Sequence, residues 1–353
     1  LRAVSRDIER ALIAPVRDLG LPITVETRTG DTTSTIRNKQ RDRLPNVLIT
    51  TPESLSLLIA REIAAAQLAP VRSVIIDEWH ELLASKRGTQ TQLALARLRN
   101  LAPNLRTWAL SATLPNLEVA AAAAVEVPPS GETRDPPAIV RGEMDRPVII
   151  DTVMPAAGRL PWAGHLGLAM LPDVLAALDP TVPTLVFCNT RSQAERWFHA
   201  IEISRPDWAP VMGLHHGSVD RDERERIEAG LKSGDLRLVV ATSSLDLGVD
   251  FTPVERVFQI GSPKGIARLL QRAGRASHRP MAPCRITCVP THALELVEIA
   301  AARASIDAGN IEPRTGDNKP LDVLAQHMVT RALGGGFTPD ELFDEVRTAH
   351  AYR

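Results

Sequence analysis

"VIIDEWHELLASKRG", residues 74–88, is an apolar run that ends on two consecutive carboxylates, then a tryptophan and a histidine. An acidic pair at the tip of a buried strand is costly unless something positive sits there, either a metal ion or a cationic side chain. The flanking sequence sets that tip in a repeating pattern. "NVLITT" (46–51) reads as a strand, "ESLSLLIAREIAAAQLA" as a helix and "VRSVIID" as a strand. "TQTQLALARLRNLA" then reads as a helix and "LRTWALSAT" as a strand. This order predicts a parallel sheet with helices on both faces. The opening "LRAVSRDIERALIAPVRDLG" has the spacing of an amphipathic helix.

A Pro-rich stretch follows, with "VPPSGETRDPPAIV" and "VMPAAGRLPWAGHLG", and predicts a domain boundary near residue 140. The alternation then resumes. "TLVFCN", "APVMGLHHG", "LRLVVAT", "VERVFQIG" and "CRITCVP" carry strands, and "SQAERWFHAIEI", "DRDERERIEAGLKSG" and "GIARLLQRAGRA" carry helices. The expected organisation is an α/β domain over 1–140, a second over 141–305, and a helical module over 306–353 with a Gly turn between two helices. Two α/β units in tandem point to a cleft between them as the site.

Composition sets limits. With 41 Lys and Arg against 42 Asp and Glu, the net charge is -1, so a polyanion site must be a local patch. Three cysteines argue against a disulfide framework and for a reducing compartment, and Cys284 and Cys288 read as buried strand thiols. No eighteen-residue apolar run exists, and the start does not read as a signal peptide.

Functional groups in parallel sheets gather at the carboxyl ends of strands. There stand Asp77 and Glu78, Ser111 and Thr113, Asn189 to Arg191, Thr242 and Ser243, and Gly261. Small and hydroxylic residues at such ends suit a phosphate-bearing ligand, because they let backbone amides approach oxygen atoms. "QRAGRASHR" (271–279) adds Arg272 and Arg275, three apart and on one helical face. Arginines opposed to a carboxylate pair are the parts phosphoryl transfer needs.

"TTPESL", "DEWH", "LSAT", "VFCNTR", "LHHGS", "ATSSLDLGVD" and "QRAGRASHR" occur in the order of motifs Ib to VI of superfamily 2 helicases, and the chain resembles that superfamily over its whole length. "DEWHELLASKRG", "WAGHLG" and the Q-R-x-G-R-x-x-H-R form look closest to the Lhr (large helicase-related) family, and within it to the bacterial ligase-associated DEXH-box branch. The resemblance implies two tandem RecA-like domains, the first lacking its amino-terminal unit, followed by the start of a winged-helix module. It implies an ATP-dependent helicase or translocase moving 3′-to-5′ on single-stranded DNA, or on an RNA–DNA hybrid. A role in DNA repair beside ligase or nuclease factors, in the bacterial cytoplasm and nucleoid, follows by analogy, with no membrane partner.

The same resemblance assigns residues. Asp77 would hold Mg²⁺ through water, Glu78 would polarise the attacking water, and His80 would relay nucleotide state to the coupling residues Ser111, Ala112 and Thr113. Arg275 would be the arginine finger, supported by Gln271 and Arg272. Gly248 and Asp250 would contact the nucleotide, with Arg279 or His278 facing the γ-phosphate. Nucleic acid would lie on Arg28, Gly30, Asp31, Thr51, Pro52, Glu53, Asn189, Thr190, Arg191, His216, Gly217, Thr242 and Ser243. These groups suit a sugar-phosphate backbone, so binding is expected to be sequence-independent and salt-sensitive.

One departure stands out. The chain holds no G-x-x-x-x-G-K-[ST] and no Gly-Lys dipeptide. The expectation is that a P-loop unit lies upstream of Leu1 and that these 353 residues alone do not hydrolyse ATP. Two other readings stay open: a double-strand translocase that does not unwind, and a nucleotide-free nucleic-acid-binding module. Taken singly, the acidic pair also fits a solvated strand end, and Ser111 and Thr113 fit helix caps. "DRDERERIEAG" reads as a solvated helix face, and His215-His216 as structural or backbone-contacting.

Overall fold

A computed structural model describes residues 2–112, 114–125, 136–142, 147–156, 158–162, 164, 166–246, 254–276, 283–316 and 319–353. The chain divides into two compact units, one made of 2–141 and 313–353, the other of 142–312. The segment read from sequence as a third module thus falls in the same compact unit as the first α/β domain.

In the first unit the order is α1 (Arg2–Asp18), β1 (Val25–Arg28), α2 (Ser34–Asp42), β2 (Val47–Thr50), α3 (Pro52–Ile59), α4 (Ala64–Leu68), β3 (Ser73–Ile76), α5 (Trp79–Leu83), α6 (Lys86–Leu101), β4 (Arg106–Ala109) and α7 (Leu117–Ala124). The strands form two parallel pairs, β1 with β2 and β3 with β4. The second pair is apolar on both faces. Ile76 is buried, whereas the cross-strand partners Ile75 and Trp108 are 65% and 59% exposed. The core lies between α5, α6 and α7 and holds Trp79, Leu95 and Leu98.

The second unit runs through β5 (Val148–Thr152), α8 (Leu171–Ala177), β6 (Thr184–Phe187), α9 (Arg191–Ser204), β7 (Met212–His215), α10 (Arg221–Ser233), β8 (Leu238–Ala241), β9 (Arg256–Ile260), α11 (Ile266–Ala273), β10 (Cys284–Val289) and α12 (Ala293–Asp307). Its six strands are parallel in the order β5-β10-β9-β6-β8-β7. β6 and β8 are buried along their whole length, which is why they read as unbroken apolar runs. Trp197, Trp208 and Val186 centre the core. The three cysteines are reduced and buried, and burial pushes the Cys288 thiol up to about 12.

α13 (Leu321–Leu333) and α14 (Pro339–Arg347) return to the first unit. Val323, Leu342 and Val346 pack on Leu93 of α6, each apolar side chain contributing about 1.5–3 kcal/mol. Gly334 is required between them, since a Cβ there would stand 2.4 Å from the Ile59 carbonyl oxygen. Thr338 and Glu341 start α14 with a reciprocal capping box around Pro339. Glu345 then anchors α14 from within, its carboxylate within 3.4 Å of His327, Arg331, Asn100 and Arg97. Burial would raise its pKa, but His327, Arg331 and Asn100 outweigh that and hold it low.

Candidate nucleotide and nucleic-acid sites

β3 delivers Asp77 and Glu78 directly at its carboxyl end, and both details of that tip matter. Asp77 is exposed, so the desolvation cost expected of a buried tip does not arise there. Its Oδ1 accepts the Glu78 N–H at 2.9 Å. Glu78 has φ 50, the left-handed region, where a residue with a Cβ is strained. Such outliers persist where surrounding structure enforces them, and here the next residue does so. Trp79 is buried, its indole N–H donates to the Ala120 carbonyl at 2.8 Å, and its main-chain N–H donates to Leu110 at 2.9 Å. The indole therefore reaches α7, beyond the neighbouring strand.

His80 joins this tip to the segment after β4. Its ring is buried, and Nδ1 lies 3.2 Å from Ser111 Oγ and 3.3 Å from the Ala112 N–H, which donates to it. Nδ1 is therefore the unprotonated nitrogen. Burial holds the imidazole below its usual 6.5, with Glu81 and Asp77 opposing and Arg314 reinforcing the effect. Thr113 lies outside the described residues.

In the second unit the arginines of "QRAGRASHR" have different surroundings. Arg272 is 1% exposed. It grips Asp246 with Nε to Oδ1 at 2.8 Å and Nη2 to Oδ2 at 3.1 Å, bonds Gln259 Oε1, and stacks 4.7 Å from the Phe187 ring centre. The guanidinium is thus committed to Asp246, Gln259 and Phe187. Arg275 is half-buried and donates to the Asp246 carbonyl at 2.8 Å, while Gln271 is half-buried on α11. Gly248, Asp250, His278 and Arg279 lie outside the described residues.

The nucleic-acid candidates fall into rows. β6, β8 and β7 are neighbours, so Asn189 to Arg191, Thr242 to Ser243 and His216 to Gly217 share one carboxyl edge. Thr190 caps α9, accepting the Gln193 N–H at 3.2 Å, and Arg191 is exposed beside Glu195. Ser243 is exposed, and Gly217 has open space around its Cα. Two candidates are turned inward. Asn189 donates to the Ser262 carbonyl at 2.5 Å, and the buried His216 ring points at Glu195, 3.3 Å away. In the first unit β1 and β2 bring Arg28, Gly30 and Asp31 beside Thr51, Pro52 and Glu53. Thr51 caps α3, and Glu53 is held by Arg87 at 2.6 Å and 3.2 Å. Arg37 donates to both the Thr29 and Gly30 carbonyls at 2.9 Å and so shapes that loop.

Sequence reasoning passed over Asp246, Gln259, Arg37 and Arg314. Asp246 lies inside "ATSSLDLGVD" without having been singled out there, Gln259, Arg37 and Arg314 lie outside the quoted motifs, and the importance of all four comes from partners distant in the chain.

Among the described residues no group of three or more His, Cys, Asp and Glu side chains is gathered to hold a metal. Asp77 offers one exposed carboxylate, the donor Mg²⁺ uses when waters and phosphate oxygens complete its shell. The tip therefore fits a metal–nucleotide site and not an all-protein cage.

With two RecA-like parallel-sheet units and this motif geometry in place, the class is that of superfamily 2 helicases. Residues 1–121 match the DEAD/DEAH box helicase family, 168–279 the helicase conserved C-terminal domain, and 304–353 the winged helix domain of large helicase-related protein. The ATP-dependent helicase Lhr-Core protein 2 of Thermococcus barophilus is 35% identical over 368 residues, covering 100% of this chain and 42% of that protein. The Lhr helicase/probable uracil glycosylase of Mycolicibacterium smegmatis is 35% identical over 400 residues, covering 98% of this chain and 25% of that protein. The structure of Mycobacterium smegmatis helicase Lhr bound to ssDNA and AMP-PNP superposes with a TM-score of 0.82 at 34% identity, covering 99% of this chain and 47% of that one. The chain belongs to the large helicase-related (Lhr) family. It spans less than half the length of these relatives.

Proposed function

We propose that this chain forms the motor core of an ATP-driven helicase that tracks 3′-to-5′ along single-stranded DNA or an RNA–DNA hybrid. The observation that carries this reading is the grip of Ser111 and Ala112 on His80 Nδ1, two residues beyond the strained Glu78. It ties the hydrolytic tip to a segment able to move with nucleotide state. Mg²⁺ bound with ATP would neutralise charge on the phosphates. Asp77 is the residue that would hold that ion, and Glu78 would orient the attacking water and take its proton. Arg275 offsets charge on the transferring phosphoryl group, with Gln271 and Arg272 positioning it. Gly248, Asp250 and Arg279 complete the nucleotide contacts, and Thr113 joins the coupling segment.

The exposed ends of β6, β7 and β8 and the caps at Thr51 and Thr190 support backbone tracking without base readout. Asn189 and His216 shape that edge from within. Likeness to the Lhr structure bound to ssDNA supports DNA as the track. Membership of the ligase-associated branch, a repair role with ligase or nuclease factors, and residence in the cytoplasm and nucleoid extend the same reading. Among the described residues no helix is long and apolar enough to cross a membrane.

The test is ATP turnover of the full-length protein with and without single-stranded DNA, beside Glu78→Gln. Turnover is expected to require DNA and to fall about a thousandfold in the variant with nucleotide binding retained. Strand displacement from 3′-tailed and 5′-tailed duplexes reads direction. Full activity in the variant removes Glu78 from the chemistry, and hydrolysis that leaves every duplex intact makes the protein a translocase.

A further inference from the structure

Where the chain leaves the second unit it makes two sets of bonds within three residues. Glu312 Oε1 accepts the Ala267 N–H at 3.1 Å and so caps α11, the helix that carries Gln271 and Arg272. A Cβ on Gly265 would stand 2.6 Å from that oxygen, so the cap is closely fitted. Two residues later Arg314 belongs to the first unit. Asn116 clamps its main chain, accepting its N–H at 3.2 Å and donating to its carbonyl at 2.8 Å. Arg314 Nη1 then donates to the His80 carbonyl at 3.2 Å and pairs with Glu81 at 2.9 Å, with the side chain 18% exposed. Gly316 lies so near that a Cβ would stand 2.9 Å from the Leu83 carbonyl oxygen. The strap follows α5 from His80 to Leu83.

A plain linker needs only the Asn116 clamp. Arg314 instead sends its charge to the helix whose histidine holds Ser111 and Ala112. We propose that Arg314 is a positioning residue of the motor cycle, and that Glu312-Pro313-Arg314 is a short mechanical link between the arginine-bearing helix α11 and the acidic-motif helix α5. Pro313 is the single residue between the two anchors, and its ring fixes φ. Two anchored residues on either side of one proline leave the main chain little length in which to absorb a displacement between them. This inference rests on the function proposed above.

The test compares wild type, R314A, R314K and an insertion of two glycines after Pro313 in the full-length protein. The readouts are DNA-stimulated ATP turnover, strands displaced per ATP, melting temperature, and amide hydrogen exchange of residues 79–83. R314A is expected to lower strands displaced per ATP and protection of 79–83 by about tenfold. Nucleotide and DNA affinity should stay within about twofold. Because one nitrogen serves both acceptors, R314K should recover most of the loss. The glycine insertion should uncouple hydrolysis from displacement while leaving protection of 79–83 intact. Wild-type coupling in R314A or in the insertion overturns the proposal. So does a lowered melting temperature in R314A that R314K fails to rescue, because that makes Arg314 a fold anchor only. A wild type with no DNA-stimulated turnover defeats the proposed function, and the exchange of 79–83 in R314A then decides whether Arg314 positions α5.

Discussion

Asp246→Ala removes the carboxylate that Arg272 is built around. Arg272 is 1% exposed, so its guanidinium cannot turn to water without opening the packing of α11 on β6 and β9. Two charge-assisted bonds at 2.8 Å and 3.1 Å are lost, leaving Gln259 and the Phe187 face as its partners. Removing one member of a buried ion pair costs about 3–5 kcal/mol, mostly for the charge left behind. At 1.36 kcal/mol per decade that is about two to four orders of magnitude in the opening equilibrium of the second unit. Hydrogen exchange of β6 and β9, the strands carrying Phe187 and Gln259, reads that equilibrium for this unit alone. Asp246→Asn keeps one acceptor and should lose roughly half as much. Replacing both partners, as Asp246→Leu with Arg272→Met, should recover most of the protection, since a pair exchanged for apolar volume is often close to neutral. Protection in Asp246→Ala within about threefold of wild type, or a double variant as unprotected as the single, refutes the reasoning.

Ser111→Ala removes the hydroxyl at His80 Nδ1 but leaves the Ala112 N–H in place, so strand separation per ATP should fall several-fold while ATP turnover survives; unchanged coupling in a fork-displacement assay counts against the relay. Glu345→Ala strands Arg331 and Arg97 beside a lost carboxylate, which should cost about 3–5 kcal/mol and expose α13 and α14 to limited proteolysis. Stability should also decline on the acid side. Burial lowers His80, and likewise His216 and His350, so the unfolded chain takes up protons near 6.5 while the folded one resists until lower pH. Their contribution is whole above 6.5 and is lost as pH falls from there, so the melting temperature should drop as the pH is lowered below 6.5, less steeply in His80→Gln.

The strands "TLVF" and "LVVA" were legible because burial along their whole length leaves little but apolar residues, while "CRITCV" was legible although Arg285 is exposed within it. β1, "VETR", was not, since half-buried polar residues carry no apolar run. β5, "VIIDT", hid between Pro-rich segments and, among the described residues, is an edge strand paired with β10. The single helix read over "ESLSLLIAREIAAAQLA" is broken at 60–63 without Gly or Pro. There Gly334 abuts the Ile59 carbonyl and Arg61 donates to the Arg41 carbonyl, tertiary contacts that no local pattern encodes. The site divides in the same way. Asp77, Glu78 and Ser111 stand where a strand-end reading puts them, and His80, named only through the family resemblance, stands on α5. Asp246 and Arg314 gain meaning only from Arg272 and from His80 with Glu81, 26 and more than two hundred positions away.

Because 313–353 folds back onto the unit that 2–141 begins, the second unit is a guest lodged within its host, entered at 141–142 and left at 312–313. The same topology makes the guest separable: excising 142–312 and bridging the seams should leave the host's own cluster of Leu93, Val323, Leu342 and Val346 closed.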